Sequence, residues 1–98
     1  MLFNLYCIYD KKTGIYLAPF PARSDTDACR SIYMDFANPQ IQQTPIGRAP
    51  RDFDVMAVAR FNDENGGLQP FAPRHVTNIG DLVLGDNSPE NGSSTVPS

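Results

Sequence analysis

Phe53-Asp54-Val55-Met56-Ala57-Val58-Ala59-Arg60-Phe61-Asn62 alternates without a break: Phe53, Val55, Ala57, Ala59 and Phe61 are apolar, and Asp54, Met56, Val58, Arg60 and Asn62 fall between them. A period of two sends successive side chains to opposite sides of a strand, so this segment predicts a long strand with one uniformly apolar face. Asp63-Glu64-Asn65-Gly66-Gly67 then reads as a turn. Leu68 to Ala72 predicts a short returning strand, limited by Pro70 and Pro73 and therefore at a sheet edge.

The N-terminal segment carries a second hairpin. Phe3 to Asp10 is rich in aromatic and β-branched residues, and Lys11-Lys12-Thr13-Gly14 turns the chain, with Gly14 near the position that needs positive φ. Ile15 to Ala18 returns as a strand and stops at Pro19-Phe20-Pro21, because proline has no N–H to give a central ladder. In the first strand Phe3, Leu5, Cys7 and Tyr9 share one face, and Asn4, Tyr6, Ile8 and Asp10 share the other. Neither face is purely polar.

One helix lies between the hairpins. Ser24-Asp25-Thr26-Asp27 combines a capping hydroxyl with acids in the first turn, where the helix dipole favours them. Ala28, Ile32 and Phe36, flanked by Cys29 and Tyr33, form its apolar stripe, and Asn38-Pro39 ends it. Gln40 to Pro50, broken by Pro45, Gly47 and Pro50, predicts a long surface loop suited to contact with a partner. His75 to Leu84 fits either a helix or a strand: Val76, Ile79, Leu82 and Val83 have helical spacing, but Gly80 interrupts them. The fold expected is α+β: a mostly antiparallel four-stranded sheet in two hairpins, with one helix packed on one face. Residues 1–84 form the single domain, with a core dominated by Phe3, Leu5, Ala28, Ile32, Phe36, Val55 and Phe61. Residues 85–98 are expected to be a disordered tail, too polar to offset chain entropy.

Size and charge narrow the function. Ninety-eight residues support one core, and no apolar run approaches the roughly 18 residues that span a bilayer, so no membrane partner is expected. The net charge is −3, yet residues 1–80 balance eight basic with eight acidic side chains, and Asp81, Asp86 and Glu90 supply the deficit. That balance argues against a histone-like packager. The N-terminus lacks a basic segment and a small-residue cleavage site, which predicts mature sequence in a reducing cytosol. Cys7 and Cys29, 22 residues apart with no C-x-x-C, are expected as buried free thiols rather than a disulfide or zinc pair.

Catalysis finds little support. His75 is the single imidazole and has no nucleophile placed beside it in sequence. Gly66-Gly67 lacks the Lys-Ser/Thr of a phosphate loop, and Asp63-Glu64-Asn65 lacks the closing bidentate acid of a calcium loop. The expectation is a non-enzyme without cofactor or metal. Nucleic-acid binding has a candidate set: Lys11 and Lys12 at the hairpin tip, Arg23 before the helix, Arg30 on it, Arg48 and Arg51 in the long loop, and the rings of Tyr6, Tyr9 and Tyr16. Cations interleaved with aromatics on a sheet hold phosphates and stack bases. The plainer alternative is that the aromatics are core and the lysines merely solvated. A protein adaptor, working through the long loop or the edge strand, competes equally on composition.

The order of segments adds a resemblance. Tyr6-Cys7-Ile8-Tyr9-Asp10, then Gly14-x-Tyr16-x-Ala18-Pro19-Phe20, Asp27-Ala28-x-Arg30, Pro50-x-Asp52-Phe53-x-Val55 and Arg60-Phe61-Asn62 before a glycine turn together resemble the small non-structural protein of gokushovirus-type microviruses, single-stranded DNA bacteriophages. The likeness covers residues 2–84 and departs at Asn62, where an acid is commoner, at an extra residue within the helix and in the polar tail. It implies a phage protein of the host cytoplasm, absent from the capsid or not essential to it, of a kind associated with DNA binding during single-stranded genome synthesis or packaging. Single-stranded DNA is the partner so implied, with a homodimer doubling a weak patch. The alternative is an adaptor for the phage replication protein, a capsid precursor or a host factor.

Overall fold

In the computed structural model, which describes residues 1–85, strand β1 (Leu2–Asp10) runs between two antiparallel neighbours. On one side lies β4 (Phe53–Asn62), and on the other β2 (Ile15–Tyr16) and β3 (Phe20–Ala22) share a single position, one after the other. β5 (Gly67–Asn78) pairs with β4 and forms the second edge. The α+β fold and the antiparallel sheet, four positions wide with one main helix, agree with the sequence. Gly14 sits in the first turn with φ of 73°, as that turn requires. The expected tail lies, apart from Gly85, outside the described residues.

Helix α1 (Asp25–Asp35) starts where the sequence places it: the Ser24 hydroxyl accepts from the Asp27 N–H at 3.1 Å. Prolines elsewhere behave differently from the expectation. Pairing pauses at Leu17–Pro19 but resumes through Pro21, because β3 is an edge whose missing N–H faces no partner. β5 likewise passes Pro70 and Pro73 and runs for 12 residues, absorbing them in a register shift opposite Ala57 to Ala59.

The segment Gln40 to Pro50 is not an irregular loop. It forms a 3-10 turn (Pro39–Gln43), a short helix α2 (Pro45–Arg48) and a second 3-10 turn (Pro50–Asp52). Each begins on a proline, whose fixed φ suits the first helical position. Asn38 and Thr44 cap the first two by accepting from the N–H groups of Gln40 and Gly47. The ambiguous stretch 75–84 contains both alternatives, a strand to Asn78 and helix α3 (Ile79–Leu84), because the Asn78 side chain accepts from the Asp81 N–H and starts a helix at the strand's end.

The core lies on one side of the sheet. Tyr6, Phe53, Val55 and Ala57 meet Ala28 and Ile32 of α1 and Ile79 and Leu82 of α3, with Ile8, Phe20, Phe36 and Val76 packed around them. Ala28, Ile32 and Val55 are core residues as the sequence indicates, and Phe36 is a half-buried neighbour. Phe3, Leu5 and Phe61 are not part of it. Phe3 and Leu5 alternate with Tyr6 and Ile8 and so lie on the other face of β1; for Phe61 the reason is a bulge, since Tyr6 opposes Ala57 but Leu5 opposes Ala59, leaving Val58 as the extra residue. Cross-strand partners share a face, so beyond the bulge Ala59 and Phe61 turn to the side of Leu5 and Phe3. The unbroken alternation of β4 therefore feeds two faces.

Candidate nucleic-acid interface

The side of the sheet away from the helices carries Phe3, Leu5, Cys7 and Tyr9 from β1. Opposite them stand Phe61, Ala59, Met56 and Asp54 from β4, and Leu68, Pro70, His75 and Asn78 continue the rows on β5. None of these residues belongs to the core cluster beneath α1 and α3. Cys7 and Ala59, at the centre, are buried by their neighbours, whereas Leu68 is 59% exposed. This is a largely apolar and aromatic face on which no helix of the described residues packs.

Its hairpin end is the more polar. Tyr9 and Tyr16 oppose each other across the ladder, ring centroids 4.6 Å apart at 40°, and Tyr16 is 43% exposed. Asp54, largely buried, accepts from the Asn78 amide at 2.8 Å, and His75 Nε2 and Lys11 Nζ stand 3.5 and 3.6 Å from its carboxylate. Lys12 Nζ lies 4.0 Å from Asp52, and the Lys11 N–H donates to the Asp52 carbonyl. Asp10 accepts from the N–H groups of Lys12 and Thr13 and so fixes the turn that presents both lysines. Each cation thus has an acid within reach, but both remain solvent-exposed.

Tyr6 leaves the candidate set. It points to the covered face and has no exposed surface. Its hydroxyl donates to Asp25 at 2.7 Å and accepts from the Asn4 amide at 3.1 Å, while Arg74 grips Asp25 with two bonds of 2.8 and 3.0 Å. Burial, reinforced by the bond to Asp25, pushes the Tyr6 phenol up to about 12. The Arg74 guanidinium holds the Asp25 carboxyl below the usual carboxylate range, with the Tyr6 hydroxyl adding to it. This network ties β1, α1 and β5 together and leaves Tyr6 no ring face for a base.

The arginines disperse. Arg23 precedes α1 and Arg30 lies on its outer side. Arg48 donates to the Gln43 carbonyl at 3.2 Å, and Arg51 pairs with Asp81 at 3.0 Å, both on the helical side of the sheet. None joins Tyr9, Tyr16, Lys11 and Lys12 on the open face. The rings that sequence reasoning missed there are Phe3, Phe61 and His75. The clue for Phe3 lay in the first strand, where neither face is polar; the bulge that turns Phe61 has no signature in composition. Cys7 and Cys29 are free, and burial raises both thiols.

Among the described residues no helix is long and apolar enough to cross a membrane. Searches of curated proteins and of solved structures give no match. The family model for Phage ORF5 protein matches residues 3–82. The chain therefore belongs to the Phage ORF5 protein family and is a phage protein.

Proposed function

We propose that this member of the Phage ORF5 protein family is a non-catalytic accessory protein of a microvirus-type phage. In this reading it holds single-stranded DNA on the open face of its sheet, in the host cytoplasm, during genome synthesis or packaging. The observation that carries the reading is the set of ring-bearing residues on that uncovered face, opposite the helices: Phe3 and Tyr9 on β1, Phe61 on β4, Tyr16 at the edge. A four-stranded sheet with rings on its free side stacks two or three unpaired bases, each worth about 1–3 kcal/mol. Tyr9 and Phe3, six residues apart, are separated by about 20 Å of strand, enough for a short run of nucleotides.

Charge plays the smaller part. Lys11 and Lys12 are the cations at the hairpin end, and each already has a carboxylate nearby. With two phosphate contacts the salt dependence is shallow, a slope of roughly −1.4 for a single strand. Affinity then rests on stacking and is tolerant of sequence, and a homodimer would gain avidity from two such faces. The adaptor reading through an edge strand is the weaker one. Pro21 on one edge and Pro70 and Pro73 on the other remove N–H groups that an added strand would need.

Titration of a fluorescent oligothymidylate of about twelve nucleotides tests this. The double change Tyr9→Ala with Tyr16→Ala should weaken binding about tenfold or more in a variant that circular dichroism shows to be folded at the titration temperature. No binding at low salt by the folded wild-type chain would refute the reading.

A further inference from the structure

We infer that the cleft between the C-terminal end of α1 and the Pro39–Asp52 segment is a second binding site, for a protein segment that sets apolar side chains beside a carboxylate. It lies on the helical side of the sheet, so it is separate from the nucleic-acid face and does not depend on that reading. The cleft holds about 460 Å³ and is walled by Tyr33 of α1 and Phe36 at its C-terminal cap, Val83 and Leu84 of α3, and Gln42 and Arg48 of the proline-started turns. That volume suits a few side chains or a drug-sized ligand.

Its floor is preformed. A Cβ on Gly47 would stand 1.9 Å from the Ile41 carbonyl oxygen, so only glycine lets α2 lie this close against the Pro39–Gln43 turn. Arg48 follows immediately and is the one charged residue in the lining among the described residues. Its bond to the Gln43 carbonyl steadies the guanidinium at the mouth and leaves its other N–H donors unused among the described residues. Among the described residues the wall is largely apolar with a single cation and no acid, which complements a segment of Phe or Leu side chains next to Asp or Glu. A polynucleotide offers the anion without the apolar groups, and a neutral apolar ligand leaves the guanidinium unmatched.

The probe is the capped peptide Glu-Phe-Asp-Leu-Asp-Phe-Glu, titrated into isotope-labelled full-length protein and followed by amide NMR. Its counterpart with lysine at every acidic position serves as the comparison. Shifts should appear at Tyr33, Phe36, Arg48 and Leu84 for the acidic peptide alone. Arg48→Glu should weaken it about tenfold, the scale of one charge-assisted contact. Leu84→Asp, at a side chain 62% exposed, should weaken it as well while leaving melting and oligonucleotide binding unchanged. Four results overturn the inference: no shifts at millimolar peptide, shifts confined to the open sheet face, equal binding of the lysine peptide, or cleft shifts on protein dilution alone, which would mark a second copy as the occupant.

Discussion

The two faces of this sheet are made by the same central strands and share much of their chemistry, yet they are covered differently. On the helical side Tyr6, Val55 and Ala57 are fully buried by Ala28, Ile32, Ile79 and Leu82, and the Tyr6 hydroxyl has both a donor and an acceptor. On the other side Phe3, Leu5, Met56 and Phe61 stay half-buried, and no helix among the described residues packs on them. Hydrophobicity does not separate the two faces. The helices do, by supplying the second layer to one face alone.

Substitutions that probe both faces give the sharpest contrast. Ile79→Ala and Leu82→Ala should each cost about 2–5 kcal/mol, since both side chains are buried and would leave cavities. Phe61→Ala, which simple alternation would rank as a core deletion, should cost less, roughly 1–2 kcal/mol, because the ring is only partly buried and lies outside the core cluster. Urea melts measure both. Equal losses on the two faces would erase the distinction.

The Tyr6–Asp25–Arg74 network should respond next. Tyr6→Phe removes a buried hydroxyl with two partners and should cost about 1–2 kcal/mol. Because Asp25 is held below its usual range, the unfolded chain takes up that proton first as pH falls. Its contribution is therefore complete above the ordinary carboxylate range and is lost as acid titrates the folded form, and Asp25→Asn should flatten that part of the pH–stability curve. At the alkaline end the Tyr6 phenol, pushed up to about 12, makes stability fall as pH rises from about 10 toward that value. Tyr6→Phe should remove the phenol's share of that decline and leave the share of the raised Cys7 and Cys29 thiols.

Much of this was legible in the chain. Ser24 with Asp27 marked the start of α1, Gly14 marked the first turn, and the alternation from Phe53 marked β4, because capping, positive φ and a period of two are local rules. What escaped was set by tertiary partners. The bulge at Val58 depends on how β1 and β5 align with β4, so it leaves no trace in the pattern. The prolines of Pro39–Asp52 read as breakers and instead start three helical turns. Of the candidate site, Tyr9, Tyr16, Lys11 and Lys12 come together, whereas Tyr6 is claimed by Asp25, a residue 19 positions away.

The smallest expected effect concerns the cations of the open face. Replacing Lys11 and Lys12 by Ala should lower oligonucleotide affinity modestly and reduce the salt slope by about 1.4, leaving the stacking contribution intact. A change larger than that of the Tyr9 and Tyr16 substitutions would shift the weight from rings to charge.

Ultraviolet photocrosslinking of the intact protein to a bromodeoxyuridine-substituted single strand, with adducts mapped by peptide sequencing, asks directly which face meets DNA. Adducts on Phe3, Tyr9, Tyr16 or Phe61, lost when excess unlabelled oligothymidylate is added, are the result expected. Adducts confined to peptides of α1, α2 or α3 would contradict an open sheet face as the binding surface.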